Sequence, residues 1–85
     1  MLIHNEDVKK LIAEIPEGHK HIRTSIALDD ETEITFQEAT IANLVRAYIR
    51  IKTHPQIKRV RLNGKRIENR KEGYADWQLI EENDG

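Results

Sequence analysis

The stretch Ile57-Lys58-Arg59-Val60-Arg61-Leu62-Asn63-Gly64-Lys65-Arg66-Ile67-Glu68-Asn69 carries the strongest short-range signal in the chain. Asn-Gly between two alternating runs supplies both positive-φ positions of a type I′ turn, so a hairpin over 57–69 is predicted. A two-residue loop would pair Leu62 with Lys65, Arg61 with Arg66 and Val60 with Ile67. Val60, Leu62 and Ile67 would then share the core face, and Arg59, Arg61, Arg66 and Glu68 the outer one.

The ten-residue string VRLNGKRIEN within this stretch is similar to the strand–Asn-Gly–strand element of S4-type RNA-binding modules and of small ubiquitin-like carrier proteins. The turn itself accounts for most of that likeness, and it assigns the chain to no family.

Upstream of the hairpin, Thr35-Phe36-Gln37-Glu38 fits a capping box, in which the Thr hydroxyl accepts from the N3 amide and the Glu reaches back. A long helix is therefore expected over about 36–53, closed by His54-Pro55. Its apolar positions are Phe36, Ile41, Leu44, Val45, Tyr48, Ile49 and Ile51, leaving a narrow polar strip of Glu38, Asn43, Arg46, Arg50 and Thr53. A helix apolar around most of its circumference is expected to be packed on two sides.

Further out, residues 20–28 alternate, with Ile22, Thr24, Ile26 and Leu28 on one side of a half-buried strand. Asp29-Asp30-Glu31 stops it with charge that is costly to bury. Val8, Leu11, Ile12 and Ile15 recur at helical spacing behind Asn5 as N-cap, with Glu6 and Asp7 in the first turn, so a short helix ending at Pro16 and Gly18 is predicted. Residues 74–82 read as a last strand with Ala75, Trp77 and Leu79 on one face. The resulting expectation is an α+β two-layer sandwich in the order α-β-α-β-β-β, its long central helix packed on a small mixed or antiparallel sheet containing the 57–69 hairpin. Residues 1–82 would form a single small domain, with 83–85 a frayed tail.

The 85 residues include 14 Lys and Arg against 15 Asp and Glu, a formal net charge of −1. That near-neutrality hides a pattern. Residues 1–45 carry four basic and nine acidic side chains, residues 46–71 ten basic and only Glu68 acidic, and residues 72–85 five acidic and none basic. The basic block points to polyanions through Arg46, Arg50, Lys58, Arg59, Arg61, Lys65, Arg66, Arg70 and Lys71, since Lys and Arg neutralise phosphates and two strands can enter a major groove. The same residues on a strand's outer face also blunt edge pairing, and the flanking acids can neutralise them internally.

Other chemistry finds less support. There is no cysteine, which excludes disulfides, thiolate metal sites and a cysteine nucleophile. His19 and His21 are two apart and would share a strand face, but a closed metal site needs about four ligands, and no spacing brings His4 or His54 to them. His54 suits a helix C-terminus by complementing the dipole. The acids Asp29, Asp30, Glu31 and Glu33 lie in a polar loop without the apolar walls that would desolvate one as a general acid. Ser25 is the single serine and has no G-x-S-x-G around it; P-loop, dinucleotide and H-E-x-x-H motifs are absent as well. The expectation is a non-enzymatic protein without cofactor, metal or small-molecule substrate. Residues 1–15 are interrupted by Asn5, Glu6, Asp7, Lys9 and Lys10, so no secretory signal is expected, and no stretch is long enough for a bilayer-crossing helix; a cytoplasmic location follows as an expectation. The leading functional reading is a protein-interaction or self-associating module with a protein partner or a second copy, motivated by the broad apolar girdle of the long helix. Nucleic-acid or polyanion binding by the basic segment is the alternative.

Overall fold

The amino-terminal strand displaces the helix predicted there. In the computed structural model, which describes residues 1–68 and 77–82, only Asn5–Asp7 makes a single 3-10 turn, and the chain then extends as β1 (Val8–Glu14). The other elements are β2 (Arg23–Leu28), β3 (Glu33–Gln37), α1 (Glu38–Thr53), β4 (Leu62–Arg66) and β5 (Trp77–Glu81). The order is thus β-β-β-α-β-β, with a three-stranded and a two-stranded sheet, and the expected α-β-α-β-β-β sandwich is not formed. The chain divides into two compact units, Met1–Ala42 and Asn43–Gly85.

In the first unit β1, β2 and β3 form an antiparallel meander with β2 in the centre. The short helix expected for residues 5–15 would be marginal alone, whereas the ladder to β2 satisfies the same backbone along the strand. The 3-10 turn is closed by the Asp7 amide donating to the His4 carbonyl at 3.0 Å and the His4 amide donating to Asp7 Oδ2 at 3.0 Å. A bulge between Val8 and Lys10 then sets the strand's register. Helical spacing on an extended backbone puts Leu11 and Ile12 on opposite faces, so β1 is apolar on both sides and exposed along its whole length.

Of the strand expected over 20–28, Arg23–Leu28 forms β2, with Ile22 outside it and exposed; Leu28 is 7% exposed and is the one buried side chain among the described residues. Register places Ile26 opposite Ile34 and Thr24 opposite Phe36 on the face that Leu28 shares. On the opposite face Ser25 Oγ and Thr35 Oγ1 share a hydrogen bond of 2.9 Å.

The capping box is the second expectation that fails. Thr35 lies inside β3, and α1 begins at Glu38. Each half of the predicted box has another partner: Thr35 is engaged with Ser25, and Glu38 Oε2 lies 2.7 Å from His21 Nδ1. The cross-strand and tertiary contacts outcompete the local cap. At its other end α1 stops where predicted. The His54 amide donates to the Arg50 carbonyl at 3.1 Å, Thr53 Oγ1 donates to the Ile49 carbonyl at 2.8 Å, and the Ile57 amide closes a turn through Pro55 onto the His54 carbonyl.

The β2–β3 connection is a three-residue loop, Asp29-Asp30-Glu31. The Glu31 amide donates to the Leu28 carbonyl at 3.1 Å and the Leu28 amide to the Thr32 carbonyl at 2.8 Å. Glu31 has φ 70°, the left-handed position that such a loop ordinarily gives to glycine. The Thr32 amide donates to Asp30 Oδ1 at 3.0 Å, and hydrogen bonding from Thr32 holds the Asp30 carboxyl below its ordinary value. Glu31→Gly removes the left-handed strain and is expected to raise stability by about 0.5–1 kcal/mol despite the entropy of glycine. Its 3.8 Å contact with Lys9 is exposed at both ends and contributes little. A midpoint of urea unfolding that stays put or falls would count against this account.

In the second unit β4 and β5 pair antiparallel, Leu62 opposite Glu81, Gly64 opposite Leu79 and Arg66 opposite Trp77. The predicted 57–69 hairpin is therefore absent, because β4 runs straight through Asn63-Gly64 to a partner eleven residues beyond its end. Neither Asn63 nor Gly64 has the positive φ that a type I′ turn requires. Gly64 serves a close approach instead. A Cβ built there would meet three atoms of the Trp77 indole at 2.6–2.8 Å. The last strand predicted over 74–82 is seen over Trp77–Glu81, while its 74–76 portion and the 83–85 tail lie outside the described residues.

Candidate functional site

The residues of the proposed polyanion site all belong to the second unit, but no hairpin gathers them. Lys58, Arg59 and Arg61 lie between α1 and β4, and Lys65 and Arg66, being consecutive in β4, stand on opposite faces of the strand. Arg70 and Lys71 are outside the described residues. Two of the cations are tied to acids of the same unit. Arg50 Nη1 donates to both carboxylate oxygens of Glu81, both side chains being half-buried, and Arg61 Nη1 donates to Glu82 Oε2 at 3.2 Å. The Glu82 amide also donates to the Arg61 carbonyl at 3.0 Å, which joins the approach to β4 with the end of β5. Arg46 donates to Asn43 Oδ1 at 2.6 Å, one helical turn back. Lys58, Arg59, Lys65 and Arg66 are exposed. The acidic carboxy-terminal strand thus neutralises part of the basic block internally, which is the second possibility that the charge pattern allows.

His19 and His21 precede β2 and share no strand face, contrary to their spacing, and the His19 amide donates to the Pro16 carbonyl at 3.0 Å. His21 pairs with Glu38, His4 sits at the 3-10 turn, and His54 Nδ1 lies 3.0 Å from Thr53 Oγ1 and 3.1 Å from the Arg50 carbonyl at the end of α1. Among the described residues no group of three or more His, Asp or Glu side chains converges as a metal site would need. The Asp29–Glu31 loop is exposed, with Asp30 committed to Thr32. No helix among the described residues is long and apolar enough to cross a membrane.

The feature that sequence reading located only in part is apolar surface. On α1, Leu44, Val45, Tyr48, Ile49 and Ile51 are all exposed, Tyr48 by 63%, whereas Asn43, Ala47 and Arg50 are half-buried. At 100° per residue the five apolar side chains form one continuous face and Asn43, Ala47 and Arg50 fall on the other, while Ile41, one turn before Leu44 and Val45, is a half-buried member of the apolar face. The girdle was legible from the heptad-like spacing. What could not be read is that the helix turns its Arg50 side toward β5, because that choice is made by the Arg50–Glu81 pair. In the first unit, Val8, Leu11, Ile12, Ile15 and Ile22 are likewise exposed, Leu11 by 59%. Helical periodicity hid the exposure of Val8, Leu11, Ile12 and Ile15, which read as one helix face but on β1 put Leu11 and Ile12 on opposite sides, and Ile22, expected on the buried side of a strand, lies outside β2.

Comparison of the chain with known protein families, with curated proteins and with solved structures returned no match. The functional reading therefore rests on the surface alone.

Proposed function

We propose that this chain is a non-enzymatic, self-associating protein-interaction module, and that the apolar face of α1 is a docking surface for a second copy. The observation that carries the reading is the outward orientation of Leu44, Val45, Tyr48, Ile49 and Ile51. Contiguous exposed apolar surface of this kind marks interaction sites, and an aromatic near its middle is the usual anchor. A second copy is the occupant favoured by charge. Arg46 and Arg50 lie off this face, and Lys52, one turn beyond Tyr48, stands at its carboxy-terminal end, so that antiparallel helices about a two-fold axis keep the two copies of Lys52 at opposite ends of the contact. A two-fold axis across α1 therefore apposes apolar side chains without apposing like charges.

Polyanion binding is the weaker reading. Its support is the exposure of Lys58, Arg59, Lys65 and Arg66, against which stand the engagement of Arg50 and Arg61 by Glu81 and Glu82 and the absence of the hairpin.

Sedimentation equilibrium tests the proposal. The chain should associate at micromolar concentration, and the double variant Leu44→Glu, Tyr48→Glu should weaken that association at least about tenfold by placing charge in a desolvated contact. Because both positions are exposed, the variant should keep its circular dichroism. A chain that remains monomeric at high micromolar concentration overturns the proposal.

A further inference from the structure

β1 is an edge strand whose sequence is complementary to itself. It pairs with β2 on one side and, among the described residues, with no strand on the other, and all seven of its residues are exposed. Such an edge presents a row of backbone donors and acceptors that templates another strand unless it is blunted. β1 is blunted at its start, by the bulge between Val8 and Lys10 and by the charges of Lys9 and Lys10. From Lys10 to Glu14 the ladder to β2 is regular, residue for residue from Lys10 opposite Ala27 to Glu14 opposite Arg23. The centre of that regular segment is Ile12.

We propose that β1 pairs antiparallel with β1 of a second copy about a two-fold axis at Ile12, joining two three-stranded sheets into one six-stranded sheet. The inference rests on the self-association proposed above and places a contact on a different unit of the chain. In this register Ile12 faces Ile12, Leu11 faces Ala13, and Lys10 faces Glu14 twice, once on each side of the axis. Lys10 and Glu14 form no ion pair among the described residues; Lys10 stands opposite Ala27, and Glu14, opposite Arg23 on β2, can also reach across the free edge. Opposite charges directly across an antiparallel pair stabilise it, and like charges destabilise it. Ile12, which the three-stranded sheet leaves 41% exposed, gains its own copy as a cross-strand neighbour.

The bulge selects this register over its neighbour. An axis at Leu11 would extend the pairing from Val8 to Glu14, across the irregular step, and would oppose Lys10 to Ile12, which matches a charge with an apolar side chain. The other edge of the same sheet offers no equivalent. About a central Thr35, β3 would oppose Glu33 to Gln37 with no opposite charges.

Charge exchange and a single cysteine test the inference together. Lys10→Glu and Glu14→Lys should each weaken self-association about tenfold in sedimentation equilibrium, and the double exchange, which restores opposite charges in the same register, should recover it. Ile12→Cys introduces the chain's sole cysteine, and oxidised glutathione should convert it to a covalent dimer, since cross-strand partners lie within disulfide reach. Leu11→Cys is offset by two positions from its own copy and should not cross-link. Self-association that ignores both charge reversals, or a Leu11→Cys dimer forming in preference to the Ile12→Cys dimer, overturns the β1 pairing and leaves the self-association reading standing. A chain monomeric at high micromolar concentration overturns both.

Discussion

Leu28→Ala is expected to destabilise the protein by about 2–3 kcal/mol, because Leu28 is the one buried side chain among the described residues. Leu28 closes the central strand β2, is 7% exposed, and lies opposite Val8 on the face that carries Ile26, Ile34 and Phe36. Truncation removes the transfer energy of the deleted carbons and adds the cost of whatever cavity remains. The estimate sits in the lower half of the usual Leu→Ala range because the neighbouring side chains are only half-buried and can close part of the void. Leu11→Ala, on the exposed edge strand, should cost under about 1 kcal/mol, as it deletes surface that is 59% in water already. Urea unfolding of the two variants side by side checks the argument. Equal shifts in midpoint would mean that the apolar face of β2 is not where this unit's stability resides.

Gly64→Val should also destabilise, by about 2 kcal/mol, although general rules favour it. Valine is a better strand former than glycine by up to about 1 kcal/mol, and β4 is a strand at this position. The opposing effect is steric. The Cβ would stand 2.6 Å from the indole nitrogen of Trp77 and 2.8 Å from two ring carbons, closer than real contacts allow. The indole must leave Gly64, or the β4–β5 pair must open. Trp77 is the single tryptophan and already 61% exposed, so the displacement should show as a change in its emission intensity relative to the parent. In a Trp77→Ala background the same Gly64→Val change should become neutral or stabilising. Persistence of the full cost there would show that the glycine is needed for its backbone and not for the ring above it.

These two sites also show where sequence reading succeeds and fails. The period-two alternation that ends at Leu28 is a property of consecutive residues, and β2 follows from it directly. The same is true of the carboxy-terminal end of α1, where His54-Pro55 blocks further helix whatever surrounds it. Asn63-Gly64 is different. Its turn chemistry is real, but a turn there competes with pairing to a strand that starts at Trp77, and an indole lying over Gly64 favours the extended form. Thr35-Phe36-Gln37-Glu38 lost its local cap in the same way, to Ser25 and His21. At Val8–Glu14 the helical spacing was present without a helix, because a ladder to β2 was available and an isolated short helix is weak.

Legible from the residues alone, then, were most of the strand read over 20–28, the stop of α1, the acidic–basic–acidic charge order and the breadth of the apolar face on the long helix. These depend on neighbours a few positions apart, or on composition. Tertiary structure decided the rest: that β1 is an edge strand, that β4 passes through Asn63-Gly64, and that α1 presents Leu44 and Tyr48 outward while Arg50 reaches Glu81. Each of these choices sets a local preference of about 1 kcal/mol against a partner distant in sequence, and local patterns carry no record of that partner.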